Sequence, residues 1–434
     1  MNFVSTRNKN YKVSFEKAVM TGLSEDGGLF VPENVPVFEK KFFENLKNYS
    51  FQEIGNEIAK KYIGNEIPEK ILRDLIFDAI NFPAPIKELN NKYFVLELFH
   101  GPTLAFKDFG ARFMSRIMGH FNRNENKELN ILVATSGDTG SAVANGFYNV
   151  DGINVYILYP KNKVSEIQEK QLTTLGRNIT ALEVEGTFDD CQKMVKDAFL
   201  DSDLTSKMRL TSANSINIAR LLPQTFYYFE AIKQVSVHDK NIVVSVPSGN
   251  LGNLTAGLLA KKMGLNINKF VSATNLNSVF TEYLQSGVFK PRQSVKTFSN
   301  AMDVGNPSNL ERVNSLYDFL LSQIREDIFS LSFDDNDTIK EIQNIFQKYN
   351  YVIDPHGAVG FLALKQYLMT QENSIGIVFE TAHPAKFRNV VENSIGSNIE
   401  IPERLSKCIA KEKNAVQIKS DLKSLKAILL ENGF

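Results

Sequence analysis

The sequence predicts an α/β protein with parallel or mixed sheets covered by helices, arranged as two domains behind a mostly helical amino-terminal unit. Three observations predict it. From about residue 91 onward, short apolar and β-branched runs alternate with amphipathic stretches of helical period. At 434 residues the chain exceeds what one hydrophobic core usually supports. Nearly every motif able to carry chemistry directly follows a strand-like run, where open α/β sheets bind ligands.

Taken in order, residues 1–90 lack the alternation and read as the helical unit, ending in the Pro-containing FPAPI at 82–86. Strands are expected at 93–99, 130–134, 155–159, 179–184, 242–246, 270–273 and 375–379. Helical patterns run from Ser141 to Phe147 and from Leu254 to Lys262, and 334–349 reads as a surface helix opening on acidic residues. Residues 91–114 and 206–402 are assigned to a large domain, 115–205 to a smaller one, and 403–434 to a charged, peripheral tail.

Composition narrows the partner. Lys plus Arg equals Asp plus Glu at 49 each, which leaves no electrostatic footprint for nucleic acid or an anionic membrane. A small-molecule partner is expected. Cys191 and Cys408 are the only cysteines, too few for a disulfide framework, and a reducing cytoplasmic setting follows. The polar start MNFVSTRNKNYK lacks the apolar core of a signal peptide, and no apolar stretch is long enough to span a bilayer. His100, His120, His238, His356 and His383 show no ligand spacing, so no metal site is expected.

Four motifs carry the chemistry. In HGPTLAFKDFG, at 100–110, Lys107 lies between Phe106 and Phe109 where a strand gives way to a helix. Apolar surroundings favour a neutral, nucleophilic amine able to form a Schiff base, although a lone lysine there also reads as a snorkelling surface residue. In SVPSGNLGN, at 245–253, the order strand, glycine loop, helix start suits a phosphate cradle, with Gly249 and Gly252 allowing positive φ and close approach. It carries neither the dinucleotide fingerprint nor a Walker ending. ATSGDTG, at 134–140, is a second glycine loop after a strand, and NSINIAR, at 214–220, holds Asn214 and Arg220, which alone reads as a solvated charge.

A Schiff-base lysine with a separate phosphate cradle suggests pyridoxal phosphate, whose aldehyde and phosphate need two such partners. Together with TAHPAKF at 381–387 and GLSEDGGLFVP at 22–32, these motifs identify a resemblance to the threonine synthases of the long bacterial and fungal type, running from about residue 5 to 405. The resemblance implies the fold called type II among pyridoxal phosphate enzymes, tryptophan synthase β-like, with the smaller domain closing over substrate. It implies Lys107 as the catalytic and cofactor-bearing lysine. Gly249, Asn250, Leu251, Gly252 and Asn253 would hold the cofactor phosphate, and Thr381 the pyridine nitrogen. Ser136, Gly137 and Thr139 would contact substrate, with Asn214 and Arg220 on its phosphate.

Asp138 stands where the wider fold has Asn. An ionised acid cannot donate a hydrogen bond to the ring hydroxyl, which leaves its role open. The implied reaction converts O-phospho-L-homoserine and water to L-threonine and phosphate, the last step of threonine biosynthesis, in a cytoplasmic monomer. The competing readings are another type II enzyme, such as a serine or threonine dehydratase, and a non-catalytic binding descendant. Arg220 and the amino-terminal unit count against the first, and retention of Lys107 against the second.

Overall fold

Three short strands open the chain, β1 (Phe3–Ser5), β2 (Lys12–Val13) and β3 (Phe30–Pro32), in an antiparallel sheet of order β2-β1-β3. Helices follow at Phe15–Thr21, Phe51–Ile63 and Glu69–Ala79, the second started by a capping box between Ser50 and Glu53. The helices match the expected unit, whereas strands this short show too little alternation to be read in advance. The protein is described here as a computed structural model covering residues 1–135, 137–235 and 239–431.

The later strands are β4 (Ile86–Glu88), β5 (Tyr93–Glu97), β6 (Leu129–Ala134), β7 (Ile153–Pro160), β8 (Ile179–Glu185), β9 (Arg209–Ser212), β10 (Asn241–Pro247), β11 (Lys269–Thr274), β12 (Ile328–Ser332), β13 (Ser374–Glu380) and β14 (Val416–Lys419). One sheet has the order β12-β11-β10-β13-β5-β4, parallel except for β4, and the other is β14-β8-β7-β6-β9, parallel throughout. Each expected strand is present. All of β13, and all of β10 after its first residue, are buried, as helices on both faces require of near-continuous apolar runs.

Two strands fall outside the expected bounds. β9, placed in advance with the large domain, pairs with β6, and β14, from the supposed peripheral tail, pairs with β8. The helix Leu422–Glu431 packs behind it, with Leu425 and Leu429 fully buried. Both are edge strands of four residues, and β14 buries only Ile418, so neither shows a core-strand pattern. No helix among the described residues is long and apolar enough to cross a membrane.

Candidate active site

Lys107 begins the helix Lys107–Asn122, and backbone pairing fixes where it begins. Leu98 N donates to Glu380 O at 2.9 Å, Phe106 N to Thr381 O at 2.9 Å, and His383 N to Leu104 O at 3.0 Å. The 98–106 loop is thus zipped along the end of β13, which sets Thr381 opposite the start of the lysine helix. Phe109 is not the apolar neighbour expected: its ring packs into the core, 4.6 Å from Phe82 and 5.3 Å from Tyr227, and anchors the helix instead. Phe106 does line the cavity with Lys107. Burial of the amine lowers its pKa to about 8 against the opposing pull of Asp138, with Arg220 and Lys386 adding to the lowering.

The loop after β10 is an open anion cradle. Among the described residues, no protein acceptor takes the amides of Gly249, Asn250 or Leu251, and the helix Gly252–Lys262 starts directly behind them with no acidic residue in its first turn. The positive φ falls on Leu251, at 58°, and not on the glycines as the motif suggested. Gly249 is required for close approach, since a Cβ there would lie 2.8 Å from Ala301 O and 2.8 Å from Met302 Cα. Asn250 pins the loop by donating to Ser215 Oγ at 2.5 Å and accepting from Ser308 N at 2.5 Å. Asn253 Oδ1 accepts from the hydroxyls of Tyr227 and Tyr228 at 2.8 and 2.9 Å, which leaves its buried amide nitrogen unpartnered.

Arg220 faces the same cavity from the short helix Ile218–Leu221. Its guanidinium is buried, donates to Ala213 O at 3.0 Å, and leaves Nε without a partner. Burial lowers its pKa to about 10, which Asp108 opposes. A buried guanidinium without a carboxylate against it is a costly arrangement that a bound anion would relieve. Asn214 lines the cavity beside it, its Oδ1 also unpartnered.

The ATSGDTG loop is built differently. Thr135 Oγ1 takes the amides of Gly137 at 3.0 Å and Gly140 at 2.8 Å, so the loop satisfies itself. Thr139 lines the cavity, whereas Gly137, at φ 148°, faces Gln168, which a Cβ would approach to 2.6 Å. Ser136 lies outside the described residues. Asp138 does not line the cavity. It forms a buried ion pair with Lys386 Nζ at 2.7 Å and accepts from Gln168 Nε2 at 2.9 Å.

Of the described histidines, His356 lines this cavity. Its Nδ1 pairs with Asp354 at 2.5 Å, and its Nε2 accepts from Ala301 N at 3.1 Å, so it holds the segment that packs on Gly249. Burial lowers the His383 pKa to about 4, and His100 pairs with Glu97 at 2.8 Å, both away from the cavity. Two groups escaped the sequence reading. Lys386 sits inside the quoted TAHPAKF, where a lysine in an apolar turn was the available signal. Arg312, fully buried, donates to Asn309 and to the backbone of Phe30, Ser215 and Ile216, and no local motif marks it.

Lys107, Thr139, Asn214, Arg220, the 249–253 loop and Thr381 therefore share one cavity of about 270 Å³. The cradle of free amides, a nucleophilic lysine and the unpartnered Arg220 Nε and Asn253 Nδ2 fit a phosphate-bearing aldehyde with room for a second anion. Family models match almost the whole chain: threonine synthase N terminus at residues 2–80, pyridoxal-phosphate dependent enzyme at 79–379, and threonine synthase, C-terminal, at 357–429. The chain is 43% identical to the threonine synthase of Haemophilus influenzae, over all of both chains. The threonine synthase structure from Escherichia coli superposes with a TM-score of 0.93 at 40% identity, covering 99% of this chain and 100% of that one. The PLP-bound threonine synthase of Brucella melitensis reaches 0.94 at 32% identity, covering 100% and 99%. A cavity lined by a buried lysine and an open anion cradle, together with full-length likeness to these proteins, leads to one conclusion: the chain belongs to the threonine synthase family of pyridoxal-phosphate dependent enzymes.

Proposed function

We propose that this chain converts O-phospho-L-homoserine and water to L-threonine and phosphate. One observation supports the reading: a single cavity is lined both by the 249–253 cradle and by the buried Arg220, whose Nε has no partner among the described residues, which suits two separate anions. A cofactor phosphate fills one and a substrate phosphate the other. An enzyme acting on unphosphorylated serine or threonine would have no use for the second.

When bound, pyridoxal phosphate supplies a covalent handle for the substrate amine and an electron sink. The Lys107 amine would hold it, and as a free amine with a pKa of about 8 is suited to take the proton from the substrate Cα. The amides of Gly249 to Leu251 and the helix start at Gly252 and Asn253 hold the cofactor phosphate. The Thr381 hydroxyl, which lines the cavity, would hold the ring nitrogen as a neutral partner and so moderate the sink. Arg220 and Asn214 bind the leaving phosphate by charge-assisted hydrogen bonds in a water-poor site. Thr139, which lines the cavity with Thr135 and Ala134 of its loop, contacts the substrate carboxylate. The two larger sheets act as domains that close on substrate, the smaller including β9 and β14, and one chain works as a monomer in the cytoplasm.

Borohydride reduction with pyridoxal phosphate should label Lys107, and the enzyme should release phosphate from O-phospho-L-homoserine but produce no keto acid from serine or threonine. A label on another lysine, or keto acid without phosphate release, would overturn the assignment.

A further inference from the structure

Beyond the residues that meet cofactor or substrate, a second polar assembly lies buried beside Lys107. Lys386 and Asp138 are almost completely buried and pair at 2.7 Å. Each is tied on its own side. Asp138, first residue of the helix Asp138–Phe147, accepts from Gln168 at 2.9 Å on the helix Glu166–Thr173. Lys386 donates to Thr103 O at 2.9 Å, which also accepts from Gln171 at 3.1 Å. Thr103 is in turn held by buried Asp108, its amide at 2.8 Å and its hydroxyl at 2.6 Å.

The assembly crosses between the two larger sheets. Asp138, Gln168 and Gln171 come from segments that follow β6 and β7, whereas Thr103, Asp108 and Lys386 follow β5 and β13. A buried carboxylate and ammonium are tolerated only as partners, so the pair requires both segments to be in register. Lys107 belongs to the second of these segments, between Thr103 and Asp108 in sequence, and its amine feels the charges of Asp138, Arg220 and Lys386, while the charge of Lys386 also acts on Asp108.

We infer that Asp138 and Lys386 are positioning residues for Lys107, a buried ion pair that fastens the loop bearing Thr139 to the loop bearing the lysine and sets the charge balance at its amine. This rests on the reading of Lys107 given above. It also accounts for an acid where the wider fold has Asn: the carboxylate is committed to Lys386 and needs no proton to donate.

The test measures the pH midpoint at which the full-length protein captures pyridoxal phosphate, trapped by borohydride and mapped to Lys107. The wild-type midpoint is expected near 8. Lys386→Met leaves Asp138 uncompensated beside the amine and should raise the midpoint by about one pH unit, and Asp138→Asn should lower it by a similar amount. Lys386→Arg should keep the wild-type value. A merely structural role would loosen the site and move both neutral variants upward, so equal signs, or no shift, would sink the inference. If a single neutral variant does not fold, recovery of folding in Asp138→Asn/Lys386→Met supports the pairing, and a double variant as unstable as its worse parent rejects it. Absence of any label at Lys107 in the wild type would instead reject the functional assignment itself.

Discussion

The two glycine loops, 134–140 and 247–253, look alike in sequence and are built for opposite ends. Each follows a buried parallel strand and opens a helix. In the 249–253 loop the amides of Gly249, Asn250 and Leu251 meet no protein acceptor among the described residues and the first helical turn carries no acid, so the N-terminal partial charge is available to an outside anion. In the 134–140 loop Thr135 takes the amides and Asp138 supplies its own anion, neutralised by Lys386. A helix start after a glycine loop therefore becomes an anion site only where the chain has not already filled it. Lys107 lines one cavity with residues of both loops.

The largest test removes what the loops share. Lys107→Ala should abolish covalent cofactor attachment and reduce turnover by at least about 10³-fold, through loss of both tether and base. Visible absorbance and phosphate release measure it. Folding should survive, because the helix is anchored by Phe109 and Phe113 in the core and not by the lysine. An enzyme that keeps its colour would break the assignment.

Arg220→Met comes next and isolates the second anion place. We expect kcat/KM for the phosphorylated substrate to fall by roughly 10²- to 10³-fold, the usual loss when a preorganised charge donor is removed. Cofactor absorbance should be kept. Thermal stability without phosphate should hold or rise, since the buried guanidinium forms no ion pair among the described residues, and added phosphate should raise the melting temperature of the wild type more than that of the variant, which keeps the 249–253 cradle.

What the sequence made legible follows the same division. The central strands could be read because burial on both faces forces continuous apolar runs, and β10 and β13 are of that kind. The cavity residues could be read because strand ends, glycines and a flanked lysine are local signals. Edge strands β9 and β14 escaped, being short and half-exposed. Arg312 and the partnership of Asp138 with Lys386 escaped for another reason. Asp138 and Lys386 are 248 residues apart, and Arg312 reaches back to the carbonyls of Phe30, Ser215 and Ile216, so no window of local sequence contains these contacts. Gly249 was expected both for positive φ and for close approach, and the structure requires it for the close approach alone.

The Lys107 amine gives a pH signature of the site between the loops. Its pKa in the folded protein, about 8, lies below the ordinary lysine value, so between these two values the unfolded chain binds more protons than the native one. Native stability of the cofactor-free protein should therefore rise with pH across that window and carry a penalty below it. Urea unfolding at a series of pH values, compared with Lys107→Met, measures the difference. A variant whose pH slope matches the wild type there would show that the amine is not depressed.

The finest test stays within the cradle and separates its two glycines. A Cβ at Gly249 meets backbone at 2.8 Å and must displace the 301–302 segment, so Gly249→Ala should cost about 1–3 kcal/mol of stability and loosen cofactor binding with it. At Gly252 the nearest atom would be Asn309 Nδ2 at 3.6 Å, an ordinary contact, and alanine suits a helix start better than glycine. Gly252→Ala should thus leave the cofactor-free melting temperature nearly unchanged. It nonetheless places a methyl group on the cavity side of the helix start, in space left for the anion, and should weaken phosphate and cofactor binding alone. Titration of both variants with inorganic phosphate and with pyridoxal phosphate separates the cases. If Gly252→Ala binds both as the wild type does, the helix start is not where the anion sits, and the contrast between the loops is lost.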